Sequence, residues 1–205
     1  MRLRHKKWAE PLIEANRDIA LLDEDIVSLP NFNELELGSG CGDFLIQKAK
    51  ANKDINYLGV EINNIAFAIS IKKLVNEEDR PSNVHFINTD AHKLLANLKE
   101  ESIDVIYLNF NDPWPKKKHH KRRLTYVTML EIYYKLLKKG GKVLYKTDND
   151  VLYEDSKEYF KEFKKFNYTF IDDYKELEAG DVMSEYEKKF RSVNKDIHRI
   201  IAIKE

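Results

Sequence analysis

The sequence predicts an α/β protein with a doubly wound, mostly parallel β-sheet. Short apolar segments that are typical of buried strands alternate five times with segments of helical apolar spacing. This alternation is typical of parallel strands joined by right-handed helical crossovers. The chain has 205 residues, which is enough for one domain with a full hydrophobic core. We therefore predict a single domain over residues 1–205.

The strands and helices of this alternation follow from the apolar pattern. The five predicted strands are residues 34–37, 56–62, 84–87, 103–110 and 143–146. Four helices are predicted between them, over residues 44–49, 66–75, 91–98 and 124–137. The run KKGG at residues 138–141 predicts the end of the fourth helix, because glycine commonly follows a helix C-terminus.

The two ends of the chain lie outside this alternation. Residues 1–10 are predicted to form a basic arm, and residues 12–29 one helix that covers the sheet. After the fifth strand, a helix around Tyr159 is followed by a strand at 167–171, a polar loop at 172–187 and a last strand at 197–203. The late aromatic residues predicted to lie in the core are Phe160, Phe163 and Phe170.

The composition excludes several classes of protein. Charged residues make up 34% and hydrophobic residues 42% of the chain, as in soluble globular proteins. No stretch approaches the roughly 18 apolar residues that a membrane helix requires, and the basic start has no apolar signal core behind it. Cys41 is the single cysteine, which excludes an internal disulfide and a cysteine-cluster metal site. The sequence therefore predicts a cytoplasmic protein with no metal and no membrane segment.

A glycine-rich turn, ELGSGCG at residues 36–42, follows the first strand of the alternation. Glycines there let a cofactor approach the backbone closely. The third glycine comes one residue earlier than in the dinucleotide fingerprint, where Asp43 stands instead. Together with the acids Glu36 and Glu61, this spacing favours S-adenosylmethionine (SAM) over NAD. An ordinary tight turn and an NAD-linked oxidoreductase are the alternatives.

Two more acids follow strands, at the sheet edge where ligands bind in such folds. Asp90 comes after the third strand and has two compatible roles, a contact with adenine and an N-cap for the next helix. Asp148 lies in the segment TDN after the fifth strand. That segment either contacts substrate or caps the helix that begins near Val151.

The most unusual segment is NFNDPWPKKKHHKRR, residues 109–123. Six of the eight residues from Lys116 to Arg123 are Lys or Arg, although the chain as a whole has zero formal net charge. Asp112 lies just before this run, in a turn that contains two prolines and Trp114. The pattern predicts that the basic residues contact phosphates and that Asp112 reaches the reacting end of the site. A solvated or disordered basic run is the alternative.

Taken together, these motifs resemble the bacterial tRNA (guanine-N7-)-methyltransferase family. DPWPKKKHHKRR is the most specific of them, and ELGSGCGDF, YLGVEI, INTDAH, YKTDN and SEYEKKF support it. The resemblance implies the class I SAM-dependent methyltransferase fold, with a seven-stranded sheet whose last strand is antiparallel. It also implies methylation of N7 of a guanosine in the variable loop of tRNA.

The resemblance assigns roles to individual residues. SAM-binding residues are Glu36, Gly38, Gly40, Gly42, Glu61, Asp90 and Asp112, and Asp112 is also the catalytic residue. Substrate-binding residues are Lys116, Asp148, Ser184, Glu185, Tyr186 and Glu187. RNA-binding residues are Lys118, His119, His120, Lys121, Arg122 and Arg123. The family commonly has threonine where this chain has Ser184, so the hydroxyl is retained and a methyl group is missing.

The chemistry of guanine N7 predicts the mechanism. N7 carries a lone pair and no proton at neutral pH, so it attacks the methyl group directly without a general base. Carboxylates such as Asp112 are then expected to orient the purine and stabilise its developing positive charge. A methyltransferase acting on another RNA and a non-catalytic RNA-binding module on the same fold are the open alternatives. Both a monomer and a homodimer are compatible with the sequence.

Overall fold

The structure, a computed structural model, describes residues 6–205, which form two compact units. The first unit includes the described residues up to Asn97 together with Gly180–Val182, and the second includes Leu98–Ala179 and Met183–Glu205. Arg2 and Arg4 of the predicted basic arm lie outside the described residues. The prediction of a single domain stays a prediction.

The first unit is built on four parallel strands in the order β1-β4-β3-β2. The strands are β1 (Ala20–Leu22), β2 (Glu34–Leu37), β3 (Tyr57–Glu61) and β4 (Val84–Asn88). The helices are α1 (Ala9–Glu14), α2 (Asp43–Ala51), α3 (Asn64–Val75) and α4 (Ala91–Leu95). Every residue of β2 is buried, as expected for a strand with neighbours on both faces.

The second unit contains four strands in the order β5-β6-β8-β7. The strands are β5 (Ile103–Asn109), β6 (Leu137–Thr147), β7 (Phe166–Ile171) and β8 (His198–Lys204), and the helices are α5 (Val127–Leu136), α6 (Asp150–Phe163) and α7 (Glu185–Ser192). β5 is parallel to β6, whereas β8 is antiparallel to both β6 and β7. The predicted fold class and the predicted antiparallel last strand are confirmed.

The predicted number of strands is wrong by one, because eight strands occur within residues 6–205 instead of seven. The additional strand, β1, lies inside the segment 12–29, for which the sequence predicted one helix. There α1 ends at Glu14, β1 pairs with β4, and a 3₁₀ helix covers Asp23–Ser28. The Asp25 side chain accepts a hydrogen bond from the Leu22 backbone N–H at 2.8 Å, which fixes the turn between strand and 3₁₀ helix.

The predicted end of the fourth helix is confirmed to within one residue, but residues 138–141 lie in a strand and not in a turn. α5 begins at Val127 and ends at Leu136, and β6 follows without a loop. Gly141 lies within β6, where an added Cβ would come 2.9 Å from the Lys138 carbonyl oxygen and 3.1 Å from that of Asp104. This glycine therefore allows a close approach of β6 to β5, next to a break in their register.

The late polar segment contains more structure than the sequence predicted. Residues 172–187 were expected to form one loop, but α7 begins inside it at Glu185, with Ser184 as its N-cap. Among the late aromatic residues, Phe160 is buried as predicted, whereas Phe163 and Phe170 are half-buried.

In residues 6–205, no helix combines the length and the apolar content that are needed to cross a membrane. The same part of the chain contains no group of three or more His, Cys, Asp or Glu side chains that could hold a metal ion.

Candidate functional site

The glycine-rich turn of the first unit joins β2 to α2. Gly38, Gly40 and Gly42 all have positive φ, at 75°, 54° and 77°, a backbone conformation that glycine adopts without steric cost. An added Cβ at Gly42 would lie 2.6 Å from Ser70 Cβ and 2.8 Å from the Phe86 ring, whereas at Gly40 it would meet nothing within 4 Å. Gly42 therefore allows tight packing under the turn, and Gly40 leaves open space beside it.

Glu61, at the end of β3, fixes this turn. One carboxylate oxygen, Oε2, accepts a hydrogen bond from the Gly40 backbone N–H at 2.9 Å, and Oε1 accepts one from the Asn63 N–H at 2.7 Å. The Glu61 side chain is half-buried, while Glu36 in β2 is buried. The structure thus brings Glu61 and the glycine turn together, as the sequence predicted.

Asp90 is the N-cap of α4, because its Oδ1 accepts hydrogen bonds from the backbone N–H groups of His92 at 2.9 Å and Lys93 at 3.3 Å. This confirms its predicted role as a helix N-cap, and its contact with adenine stays a prediction. The side chain is exposed, so the capping role leaves Asp90 accessible to a ligand.

The residues around this turn fit SAM. The Ser39 hydroxyl oxygen is buried and, among residues 6–205, has no hydrogen-bond partner. Ile62, next to Glu61, is 69% exposed, which provides apolar surface for an adenine ring. Carboxylates such as Glu61 are suited to ribose hydroxyls. Open space, a buried unpaired hydroxyl, an apolar surface and a carboxylate together fit an adenosine.

In the second unit, the turn after β5 carries Asp112. Phe110 and Trp114 have positive φ, at 51° and 42°, which is uncommon for residues other than glycine and costs roughly 1–3 kcal/mol for each. Asp112 lies between them and is exposed. Backbone strain of this kind persists only where surrounding contacts hold it.

Contacts on one side of this turn come from the basic 3₁₀ helix Lys117–Arg122. The Arg122 guanidinium lies 5.1 Å from the Trp114 ring centroid, and the His119 ring packs edge-on against the same ring at 5.7 Å. The exposed basic side chains of the segment are Lys116, Lys117, Lys118, Lys121 and Arg122. These side chains form the positively charged surface that the sequence predicted.

Arg123 points the other way and is only 2% exposed. Its Nε donates to the Pro113 carbonyl oxygen at 2.8 Å, and its Nη1 forms an ion pair with Asp155 of α6 at 2.6 Å. His120 is half-buried, with its Nε2 3.0 Å from Arg123 Nη2. This geometry argues against the predicted direct contact of Arg123 with phosphates.

The segment SEYE forms the start of α7. Ser184 Oγ accepts a hydrogen bond from the Glu187 backbone N–H at 3.0 Å. The Glu187 side chain is fully buried and forms ion pairs with Lys146 Nζ at 2.9 Å and Arg191 Nη2 at 2.7 Å. Glu185 and Tyr186 are exposed. Glu187 therefore anchors α7, and its burial argues against the predicted direct contact with substrate.

Aromatic contacts join α7 to the segment that carries Asp112. The Phe110 ring stacks on Tyr186, with centroids 6.4 Å apart, and packs against Phe190 at 5.7 Å. Tyr186 thus contacts Phe110, two residues before Asp112, and the exposed Glu185 precedes Tyr186 in the chain.

Asp148 follows β6, the strand that pairs with β5. Asn149, not Asp148, is the N-cap of α6, since its Oδ1 accepts the Leu152 backbone N–H at 2.8 Å. Asn109 of β5 is paired with Lys146 of β6, so Asp112 and Asp148 come after neighbouring strand ends.

Sequence reasoning missed Lys146, Arg191 and Asp155, which are the ion-pair partners of the buried Glu187 and Arg123. A lysine inside an apolar strand was the available signal for Lys146. Asp155 gave no signal, because it is one of several acids on α6.

Comparisons with known proteins agree with this geometry. A family model described as "Putative methyltransferase" matches residues 31–200. Among solved structures, a SAM-dependent methyltransferase from Archaeoglobus fulgidus superimposes with a TM-score of 0.56 at 14% identity, covering 96% of this chain and 94% of that one. The tRNA (m1A58) methyltransferase from Aquifex aeolicus gives a TM-score of 0.56 at 16% identity, over 100% of this chain and 71% of that one. The chain therefore has the class I methyltransferase fold.

Relatives of higher identity identify the family. The tRNA (guanine-N(7)-)-methyltransferase of Bacillus subtilis (strain 168) is 36% identical, with 97% of each chain covered. The enzyme of the same name from Limosilactobacillus fermentum is 37% identical, with 98% of each chain covered. On these near-complete matches, and on the site built from its own residues, this chain belongs to the tRNA (guanine-N(7)-)-methyltransferase family.

Proposed function

We propose that this protein transfers the methyl group of SAM to N7 of a guanosine in the variable loop of tRNA. The observation that carries the proposal is the turn after β5. It presents an exposed acid, Asp112, and continues directly into an exposed basic 3₁₀ helix. A carboxylate for a purine and cations for phosphates are thus next to each other in one segment, as a nucleic-acid-modifying enzyme requires.

The first unit supplies the residues for the adenosine part of SAM. Glu61 is proposed to hold the ribose hydroxyls, Gly40 to allow close approach, and Asp90 to meet the adenine amino group. Glu36 completes the acidic set. When bound, SAM supplies an electrophilic methyl group on a sulfonium.

Asp112 is proposed to act on the guanine and not as a general base. Guanine N7 has a free lone pair and needs no deprotonation before attack. Alignment of the reacting groups can contribute about 7–11 kcal/mol. As N7 is alkylated, the purine gains positive charge, and a nearby carboxylate stabilises that charge. Asp148 and Glu185 are proposed to assist Asp112 by accepting hydrogen bonds from the guanine amide and amine.

The exposed cations of the basic segment are proposed to bind the RNA backbone. Lys118, Lys121 and Arg122 point to solvent and are suited to phosphate contacts, which position RNA without reading its sequence. Lys116 is closest in the chain to Asp112 and is proposed to contact the substrate near the reacting base.

The direct test is incubation of the purified protein with labelled SAM and bulk tRNA, followed by mapping of the modified nucleoside. We expect 7-methylguanosine in the variable loop. Methylation at another position, or only of another RNA, would contradict the proposal. If calorimetry shows SAM binding but no RNA accepts the methyl group, the protein is a binding module on this fold.

A further inference from the structure

We infer that Arg123 and Asp155 form a positioning pair for the turn that carries Asp112, and that Arg123 does not contact RNA. This inference rests on the proposed function, which gives Asp112 its role. The basic segment then has two parts. The outward part consists of exposed side chains that face RNA, and the inward part consists of buried and half-buried side chains that hold the turn of Asp112 in place. In this reading Arg123 is a positioning residue, since it acts through the Pro113 backbone.

The inference starts from the contacts of the Arg123 guanidinium. All of its nitrogens are used: Nε donates to the Pro113 carbonyl oxygen at 2.8 Å, Nη1 to Asp155 at 2.6 Å and to the Tyr159 hydroxyl at 3.1 Å, and Nη2 contacts His120 at 3.0 Å. Only the planar fork of arginine can reach partners in these directions at once. Because the side chain is buried as well, a phosphate has no access to it.

The Pro113 carbonyl belongs to the peptide bond between Pro113 and Trp114. Asp112 lies on one side of this dipeptide, and the positive φ of Trp114, at 42°, lies within it. A hydrogen bond from a buried guanidinium therefore holds a strained backbone directly beside the proposed catalytic carboxylate. Arg122 braces the same turn from outside by stacking on the Trp114 ring.

His120 belongs to the inward part of the segment. Its Nε2 lies 3.0 Å from Arg123 Nη2, and a guanidinium can only donate hydrogen bonds. Its Nδ1 faces the Tyr159 hydroxyl at 3.4 Å. His120 therefore contacts Arg123 and Tyr159 on the inward side of the segment.

Asp155 and Tyr159 extend the contact to α6, which begins at Asp150, two residues after Asp148. Arg123 thus connects the segment that follows β5 to the helix that follows β6. Through this one side chain, the backbone beside Asp112 and the helix that starts beside Asp148 are held together.

The test uses Arg123→Lys and Asp155→Asn in single-turnover methyl transfer at saturating tRNA and SAM. Each change should lower the rate by roughly 10–100-fold, since a misplacement of about 1 Å can cost about 100-fold. The tRNA dissociation constant and its salt dependence should stay those of the wild type. The double variant should be no slower than the slower single variant, because both changes break one interaction.

Arg80→Lys is the matched control, since Arg80 forms an ion pair with Asp18 at the surface of the first unit. It should leave rate and affinity unchanged. Tyr159→Phe removes only one hydroxyl and replaces a charge variant that fails to fold. Thermal unfolding and SAM binding show whether each variant is folded. Tyr159→Phe should also lower the rate without changing tRNA affinity.

Two results would overturn the inference. One is a weaker tRNA affinity in Arg123→Lys while the saturated rate is retained, which would make Arg123 a phosphate ligand. The other is a wild-type rate in the folded Asp155→Asn and Tyr159→Phe variants. Mapping of the methylated nucleoside with the wild-type protein tests the proposed function separately from the role of Arg123. If another nucleoside is methylated, the proposed function fails, while the variant rates still decide the role of Arg123.

Discussion

Arg122 and Arg123 are adjacent in the chain, yet their side chains have different environments. Arg122 is exposed and lies over Trp114, whereas Arg123 is buried and paired with Asp155. A buried guanidinium must be paired and hydrogen-bonded to offset the loss of hydration. At the residue scale, therefore, Arg122 adds positive charge to the surface, whereas Arg123 uses the same charge to hold the backbone of the turn.

The carboxylate of Asp112 leads to a prediction at the same scale. Asp112→Asn keeps the shape of the side chain but removes its charge. The methyl-transfer rate in single turnover should fall by roughly 100-fold or more, in the range seen when one group that stabilises transition-state charge is lost. SAM affinity, measured by calorimetry, should fall far less.

Asp104→Asn is the control for this prediction. Asp104 lies in β5, the strand that precedes Asp112, and forms a surface ion pair with Lys138. Its transfer rate should match that of the wild type. A wild-type rate in Asp112→Asn would show that the carboxylate charge has no electrostatic role in the transfer.

Single residues differ in how far the sequence reveals their roles. Gly40 and Gly42 could be predicted, since their spacing between a strand and a helix is a local pattern. The burial of Arg123 and Glu187 could not, because it depends on partners far along the chain. Asp155 is 32 residues from Arg123, and Lys146 is 41 residues from Glu187. Residue type gives the charge, and only the fold shows whether that charge is buried.

At the element scale, α7 is held to its unit by a buried ion pair as well as by the aromatic contacts of Tyr186 and Phe190. Most residues of α7 are polar, and within the helix only Glu187 is buried. The Glu187 carboxylate is shared by Lys146 of β6 and Arg191 of α7 itself. Since Phe110 stacks on Tyr186 of the same helix, the position of α7 also affects the backbone just before Asp112.

This anchoring leads to a stability prediction. Glu187→Gln leaves Lys146 buried without its carboxylate partner, and breaking a buried pair in this way costs about 3–5 kcal/mol. The free energy of unfolding from urea titration should fall by an amount of that order. The transfer rate should fall too, at a temperature where the variant is folded, because α7 carries Glu185 and Tyr186.

Glu185→Gln is the stability control, since Glu185 is the exposed acid at the start of α7. Its unfolding free energy should change by no more than about 0.5 kcal/mol, as is usual for surface sites. Equal losses of stability in the two variants would contradict the anchoring role of Glu187.

Strands with a high content of bulky apolar residues could be predicted from the sequence, as β5 shows. The segment 12–29 could not, because β1 is a strand only through its pairing with β4, more than 60 residues away. The early start of β6, which includes residues 138–141, could not be predicted for a similar reason. Gly141 permits close contact between β5 and β6, and a glycine that serves strand contact looks the same in sequence as one that ends a helix.

At the scale of the whole molecule, charge is balanced and its distribution is uneven. The chain carries 35 basic and 35 acidic residues, so net charge gives no long-range attraction to RNA. The proposed SAM-binding residues other than Asp112 belong to the first unit, and the proposed RNA-binding residues belong to the second. Affinity for tRNA must then come from local contacts, whose number sets the salt dependence of binding.

Replacement of Lys118, Lys121 and Arg122 by Ala should weaken tRNA binding and lower the slope of log K against log[salt] by about 2–3, since each phosphate contact contributes roughly 0.7–0.9 to that slope. Arg123 is left in place because it is buried.

The matched control replaces three other exposed lysines of the second unit, Lys135, Lys139 and Lys142. This control has the same net charge as the test variant. If binding depended on net charge, the slope would fall by the same amount in both variants. If binding depends on contacts at the basic 3₁₀ helix, the slope will fall only in the variant of Lys118, Lys121 and Arg122. Filter binding across a salt series distinguishes the two, and equal slopes would contradict a local RNA-binding surface beside Asp112.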